Sequence, residues 1–462
     1  MPLPNPIKTP AFLQKLQWIA DPVGYMESSA QQYPDIFASK VIDFADSPIF
    51  VNHPQGIQEV FNDRKHFAAP GEANRILRPL AGECAIFMLS GESHKRRRQL
   101  LMSPFHGERM QAYGEIICQL TEKLLNQLPL NKSFSARSTL QQISLQVILQ
   151  AVFGLYEGER SQKIKDLMLL LLGVFRSRLT SSLFFFPILQ KDLGAWSPWG
   201  RFLRQRQQMD ELLYAEIAER REQPDPNRID ILSLLMDATD EIGNKMTDQE
   251  LRNELITLIF GGHETTATAM AWALYWIHRK PEIKQKLLEE LDSLGDSPDH
   301  ISIFRLPYLT AVCNETLRLH PVAILTLSRV VQAKVELLGH LLEPGMVVTP
   351  CIYLAHQRED VYPQPKQFKP ERFLERQFSP YEFLPFGGGV RGCIGQALAL
   401  FEMKLVLATI LSRYQLALAD QQPEQPLREG VTVVPANGVK MLITGRRVRR
   451  ESPVPMATTS AL

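Results

Sequence analysis

Phe386-Gly387-Gly388-Gly389-Val390-Arg391-Gly392-Cys393-Ile394-Gly395 decides how this chain is read. Glycines crowded around one cysteine make a tight loop whose backbone can approach a flat ligand and whose amides can hydrogen-bond the sulfur. A helix-like run continues from Gln396 to about Arg413. A cysteine beside Arg391 and ahead of a helix N-terminus is expected to have a lowered pKa, which favours metal ligation. A lone cysteine is most often a small buried hydrophobe, but here the Phe, Arg and Gly positions around it are satisfied together. Gly387, Gly389 and Gly392 are also spaced as in a dinucleotide fingerprint. That reading fails because Phe383-Leu384-Pro385-Phe386 is not a convincing buried strand and no βαβ unit surrounds it.

Around this loop lies a chain of 462 residues with 51 Lys+Arg against 50 Asp+Glu, a formal net charge of +1. A content of 45% hydrophobic and 22% charged residues excludes disordered and collagen-like classes. The balanced charge argues against nucleic acid as a partner. Cys84, Cys118, Cys313, Cys351 and Cys393 are odd in number and widely spread, which predicts reduced thiols and no disulfide framework. The opening MPLPNPIKTP lacks the layout of an export signal. Of the apolar runs, 167–175 is too short to span a bilayer and 256–277 carries His263 and Glu264 near its middle, so no membrane span and a cytoplasmic location are expected.

At roughly 150 residues per domain the length alone suggests about three domains. No repeat or linker divides the chain, and EQPDPNR at 222–228 reads only as a loop between helices. The expected fold is therefore a single domain over 1–462, mainly α with small β-sheets, with a Pro-rich segment at 1–20 and a flexible basic tail at 446–462. Its main helix starts at the capping box Thr247-Asp248-Gln249-Glu250 and runs to about Arg279, close to 50 Å at about 1.5 Å per residue. Apolar residues on nearly all its sides send it through the interior. Gly261-Gly262-His263-Glu264-Thr265-Thr266 at its centre predicts a local kink or widening. His263-Glu264 begins a zinc-protease H-E-x-x-H, but Ala267 stands where the second histidine belongs.

A second helix, from about Tyr308 to Leu319, places Glu315 and Arg318 on one face, as an ordinary helix pair or as part of a buried network. After Pro321, Leu325, Leu327 and Arg329 alternate as on a short strand. Glu343-Pro344-Gly345 and Ala436-Asn437-Gly438 read as hairpin turns. Arg96, Arg97 and the tail Arg446-Arg447-Val448-Arg449-Arg450 read as solvated charge, with Lys95 to Arg97 as an alternative docking patch for an acidic electron-transfer protein. The segment 183–189, LFFFPIL, reads either as core or as a lid over a substrate channel.

The spacing F-x-x-G-x-R-x-C-x-G, carried by Phe386, Gly389, Arg391, Cys393 and Gly395, resembles the haem-binding loop of the cytochromes P450. Glu315-Thr316-Leu317-Arg318 is similar to that family's E-x-x-R, and Pro370-Glu371-Arg372-Phe373 to its P-E-R-F. Gly261 to Thr266 resembles its oxygen-activation motif, and His94-Lys95-Arg96-Arg97-Arg98 its propionate-holding helix. The resemblance runs from roughly residue 20 to 445.

That resemblance implies that Cys393 is the axial thiolate of haem b, within a loop where Phe386, Arg391 and Gly395 surround the cofactor. It assigns His94, Arg98, Arg329 and Arg391 to the propionates. By the same implication Glu264 and Thr265 form an acid–alcohol pair for proton delivery. Gly261, Leu325 and Leu327 are expected to face the substrate, and Glu315, Arg318 and Arg372 to form a structural network. The implied activity is a soluble monooxygenase that hydroxylates or epoxidises an apolar small molecule with O2, of the bacterial type and similar to a cyanobacterial group associated with fatty acids and terpenoids. With few residues after 445, electrons are expected from an external ferredoxin or flavodoxin with its reductase, and the protein is expected to be a monomer. A haem-thiolate isomerase or dehydratase without external electrons, and a non-enzymatic haem sensor, would share the cysteine loop. Neither has an evident use for Glu264-Thr265.

Overall fold

The computed structural model describes residues 3–41, 47–102, 104, 109–154, 158–176, 190–225, 227–240, 243–295 and 298–447. Its axis is the helix Asp248–Arg279, capped as the sequence implies. The Thr247 hydroxyl accepts from the Glu250 amide, and Glu250 Oε2 accepts from the Thr247 amide at 2.9 Å. Leu255, Ile259, Met270, Trp272 and Ile277 on it are buried, and two long helices, Ala136–Phe153 and Gln396–Arg413, lie against it.

The expected opening at the centre of this helix is not seen: the α-helix is continuous through 261–266. The Thr265 and Thr266 hydroxyls donate to the carbonyls of Gly261 and Gly262 at 2.5 and 2.9 Å, so they supplement the helical ladder instead of breaking it. The two glycines differ in purpose. A Cβ at Gly262 would lie 2.7 Å from Ile148 Cδ1, whereas one at Gly261 would meet nothing within 4 Å among the described residues. Gly262 permits close helix packing, and Gly261 faces a side left open by the described residues.

The helix Pro307–Leu319 begins with Pro at its first turn and has no side-chain cap of its own. The Glu290 carboxylate, from the helix Pro281–Asp292, takes that role by accepting from the amides of Tyr308 and Leu309 at 2.6 and 2.8 Å.

The main sheet has five strands in the order Ile36–Ala38, Ile49–Val51, Val347–Pro350, Arg329–Val331, Phe67–Ala68. Only the pairing of Ile49–Val51 with Val347–Pro350 is parallel. A three-stranded sheet joins Ser133–Ser135, Lys440–Arg446 and Tyr414–Leu418. Two hairpins form the remaining sheets among the described residues, but not at the expected turns. Glu343–Gly345 and Ala436–Gly438 do turn, yet each connects strands that belong to different sheets. The hairpins instead pair Val335–Leu337 with His340–Leu342, and Pro426–Glu429 with Thr432–Pro435. The first turns at Leu338-Gly339, with φ of 50° and 78°. A leucine in the left-handed region carries no turn signature. It is held there by packing onto Gly56, where a Cβ would come within 2.8 Å of Leu338 Cδ1.

The strand expected over Leu325, Leu327 and Arg329 is also shorter, beginning only at Arg329. The Leu327 carbonyl accepts from Arg329 Nη1 at 2.8 Å instead of from a neighbouring strand. At the N-terminus, the Pro-rich segment passes into the helix Ala11–Ala20. The basic tail is anchored where it starts: Arg446 lies over the Tyr414 ring and donates to Asn126, and Arg447 pairs with Asp292 at 2.5 and 2.9 Å. The segment 183–189 and residues 448–462 lie outside the described residues. Among the described residues no helix is long and apolar enough to cross a membrane.

Candidate functional site

The cysteine loop is shaped by its glycines. Gly387 and Gly389 adopt φ of 66° and 60°, a left-handed backbone that suits residues lacking a Cβ. A Cβ at Gly388 would lie 2.3 Å from the Phe61 ring. The turn closes with the Cys393 amide donating to the Phe386 carbonyl at 2.9 Å. Gly395 then stands as the N-cap of the helix Gln396–Arg413.

Cys393 is exposed, yet surrounding protein raises its thiol pKa. Exposure and desolvation together place the sulfur in a recess and not on the outer surface. The lowered pKa expected from sequence is thus reversed, because burial outweighs the opposing groups. Those groups are nonetheless the ones that favour a thiolate: the Gly395 amide, the Arg98 guanidinium and the Gln396 amide. Arg98, not the neighbouring Arg391, is the cation acting on the sulfur.

Arg98 comes from the helix Gly91–Met102 and donates Nη1 to the Gly392 carbonyl at 2.5 Å. One turn earlier on the same helix, His94 is buried. Burial, followed by the charges of Arg391, Arg98 and Arg329, holds its imidazole down at about 4. Arg329 and Arg391 are each lowered to about 10, first by burial and then by a neighbouring guanidinium. Arg329 donates to the carbonyls of Leu327 and Gly388, and Arg391 to those of Ala69, Ile86 and Leu89. Among the described residues no carboxylate is paired with Arg98, Arg329 or Arg391. Like charges gathered in a desolvated place without an anion form a site for an anionic group.

Glu264 and Thr265 are adjacent in sequence but do not face each other. Glu264 is held by Arg137, which also reaches Glu429 Oε2 at 2.6 Å, and by Gln141 Nε2 at 2.8 Å. Thr265 points to the Gly261 carbonyl on the open side of the helix. Leu325 and Leu327 are half-buried, Leu325 packing against the smaller cluster that includes Ile324 and Tyr353.

Glu315 and Arg318 are both fully buried and joined by two hydrogen bonds of 2.7 and 2.8 Å. Arg372 Nε donates to Glu315 Oε1 at 3.1 Å, and the Lys369 amide donates to the same oxygen. Arg318 Nη1 continues to the His356 carbonyl. The three side chains therefore meet.

Arg97 departs from the solvated role expected for it. It is buried and pairs with Glu254 at 2.7 Å and with Glu250 on the central helix. The signal available in sequence was Glu250 and Glu254 at i,i+4 on one face of the central helix, two acids that a cation from another element could bridge. Lys95 and Arg96 remain at the surface, with Glu92 and Asp240 at 3.5 and 3.8 Å. Arg137, Gln141 and Glu429 had no local signal, since they reach Glu264 only through the tertiary fold.

A single cysteine sulfur, backed by amides and faced by cations that no carboxylate pairs among the described residues, suits a flat dianionic macrocycle that supplies its metal's remaining ligands. The donor set fits haem, and the class of protein so defined is a haem-thiolate protein. The comparisons agree: the cytochrome P450 family model matches residues 2–443. A Mycobacterium tuberculosis protein named cytochrome P450 135B1 is 33% identical over 450 residues, 97% of this chain and 92% of its own. Cytochrome P450 135A1 of the same organism is 31% identical, covering 96% of each chain. In fold, the chain is similar to retinoic acid-bound cyanobacterial CYP120A1, with a TM-score of 0.84 at 23% identity, covering 96% of this chain and 99% of that one. The haem domain of cytochrome P450DA gives the same TM-score over 97% and 98% of the two chains. This chain belongs to the cytochrome P450 family and is a haem-dependent monooxygenase, in a family that uses haem b with a cysteine thiolate as axial ligand.

Proposed function

We propose that Cys393 ligates the haem iron, that His94, Arg98, Arg329 and Arg391 hold its propionates, and that Phe386 and Gly395 line the cofactor. The observation that carries this reading is the meeting of Arg98 with the cysteine loop at Gly392, so that an anion-holding guanidinium and the thiol sulfur form one electrostatic unit. Haem, when bound, supplies an iron centre at which O2 is activated and one of its oxygen atoms is transferred to an organic substrate. The amides of Gly395 and Gln396 favour the thiolate, and the guanidiniums neutralise the carboxylates. Glu315, Arg318 and Arg372 support the cysteine side structurally.

Thr265 holds its hydroxyl on the Gly261 carbonyl, from which it can pass a proton to the open side of the central helix. Glu264 relays that proton from solvent, taking it up as it turns away from Arg137, its partner in the resting geometry, and passing it on toward Thr265. The substrate lies beside Gly261, with Leu325 and Leu327 contributing apolar contacts. The substrate class is an apolar small molecule of fatty-acid or terpenoid type, hydroxylated or epoxidised. The retinoic acid bound to the cyanobacterial relative by fold is consistent with that class. Electrons arrive from a separate ferredoxin or flavodoxin, for which exposed Lys95 and half-buried Arg96 supply positive charge. Residues 1–462 serve one domain, acting as a monomer.

The test is the spectrum of the reduced, haem-loaded protein with carbon monoxide. The red-shifted Soret band of thiolate ligation is expected, and it should vanish in Cys393→His while haem is still bound. A wild-type band at the position given by histidine ligation overturns the assignment of Cys393.

A further inference from the structure

Two tryptophans three positions apart meet opposite surroundings. Trp199, in the first turn of the helix Pro198–Glu222, is buried beside Phe202 with ring centroids 5.2 Å apart, whereas Trp196 is 75% exposed. Leu193 is exposed as well, at 55%, and Ala195 between them also lies at the surface. A single exposed apolar side chain needs no explanation, but an indole and a leucine turned to solvent within four residues do.

The turn that carries them is held by specific bonds. Asp192 accepts from the Gly194 amide at 3.0 Å and from both terminal nitrogens of Arg204 at 2.8 and 3.2 Å. Gly194 adopts φ of 95°, and its carbonyl accepts from the Ser197 amide and hydroxyl at 3.1 and 2.9 Å. The same hydroxyl caps the helix by accepting from the Gly200 amide at 3.1 Å. A Cβ at Gly200 would stand 2.0 Å from the Gly194 carbonyl, so the turn sits directly on the helix backbone. The indole lies over Gly194, where a Cβ would be 3.4 Å from its Cδ1 and Nε1. Folding therefore fixes the ring at the surface, and little ordering is left to oppose binding there.

The charges flanking this tip along the chain are of one sign. Asp192 is the sole carboxylate from 190 to 209, and Arg204 occupies it. Lys191 and Arg201 are exposed, and among the described residues neither pairs with a carboxylate. An indole favours the level of lipid headgroups, a leucine beside it the acyl boundary, and unpaired cations favour anionic lipid. A stable protein interface takes about 20–30 residues a side, whereas a bilayer closes around a small wedge. We propose that the turn 191–201 docks this protein on the surface of an anionic lipid bilayer, with Leu193 and Trp196 entering the interface and Lys191 and Arg201 meeting the headgroups. Docking of this kind lays the protein on the membrane without crossing it, and it is independent of the haem assignment.

The experiment sediments the holoprotein with vesicles of phosphatidylcholine alone and of phosphatidylcholine mixed equally with phosphatidylglycerol, at low and high salt. Wild type should partition onto the mixed vesicles and far less onto the neutral ones, and salt should weaken the binding. Trp196→Ser should lower the partition coefficient roughly tenfold, the factor that burial of about two methylene groups supplies. Lys191→Gln and Arg201→Gln should each lower it about fivefold at low salt, which is about 1 kcal/mol per cation near the surface. Phe12→Ser, at a side chain 70% exposed on the helix Ala11–Ala20, should bind as wild type. Absence of wild-type binding, equal binding to neutral vesicles, or unchanged binding by Trp196→Ser overturns the proposal. If Trp196→Ser does not fold, unchanged binding by Leu193→Ser overturns it equally. Loss of binding in Phe12→Ser with none in Trp196→Ser overturns it by placing the contact elsewhere. Self-association that needs Trp196, without vesicle binding, overturns it in favour of a second copy of the chain.

Discussion

Arg98 Nη1 lies 2.5 Å from the Gly392 carbonyl, so the residue preceding the cysteine is tied to a helix almost three hundred positions earlier. That bond makes Arg98 a holder of the loop as well as a cation for the sulfur. Arg98→Ala should purify with a several-fold lower haem content than wild type, and part of its carbon monoxide complex should lack the thiolate band. Equal loading and an unchanged spectrum would remove Arg98 from both roles.

Thr265→Ala should bind substrate normally but divert electrons from product to hydrogen peroxide, since it removes the hydroxyl held on the open side of the helix at this point. The ratio of peroxide to product per electron pair consumed is the measurement. An unchanged ratio would take Thr265 out of the proton path.

Glu315→Ala would leave Arg318 and Arg372 buried without their shared carboxylate. Breaking one partner out of such a network costs about 3–5 kcal/mol. Little folded, haem-loaded protein is expected, and a variant with wild-type yield and denaturation midpoint would contradict the network.

Arg137 bridges Glu264 and Glu429, both largely buried. Arg137→Gln should lower stability by about 3 kcal/mol, within the range for removing one partner of a buried pair. It should also free Glu264 to rotate, which solvent isotope effects on turnover would register. Unaltered isotope effects with the stability loss present would confine Arg137 to a structural role.

Glu402 is buried on the helix after the cysteine loop, with one oxygen unpartnered among the described residues, and burial raises it to about 8 despite a hydrogen bond to Ser144. A carboxyl raised on folding keeps its proton in the native state after the unfolded chain has lost it. Native protein then binds more protons, and stability falls as pH rises from the ordinary carboxylate range to about 8. Glu402→Gln should therefore gain stability over wild type progressively across that interval and level off above it. Urea titrations of both proteins at several pH values give the difference, and a pH-independent gap would contradict the burial effect.

Much of the architecture was legible because its signals are local. Thr247 and Glu250 cap the long helix as their spacing implies, and the glycines around Cys393 mark a loop that only small residues can make. Arg97 and Arg98 show where local reading stops. They are adjacent and chemically alike, yet one turns to Glu254 and the other to Gly392, because a helix sends neighbouring side chains about 100° apart. Which of the two meets the loop depends on how the helix is rotated in the fold. The hairpin at Leu338 was hidden for a similar reason, since a packing contact with Gly56 stabilises a conformation that leucine does not prefer. Leu325 and Leu327 alternate as strand residues do, but the Arg329 side chain takes the carbonyl that a ladder would have used.

The adjacent glycines of the central helix divide evolvability between them. At position 262 any added carbon presses on Ile148, and overpacking of this kind costs about 1–3 kcal/mol, so variation there is filtered by folding. At position 261 an added Cβ meets nothing within 4 Å among the described residues, and with the substrate beside Gly261 as proposed, the filter becomes which molecules still fit. A library randomised at 261 alone should therefore stay largely folded while its members sort by ligand shape, making one helix turn a dial for selectivity separated from the hinge of stability by a single peptide bond.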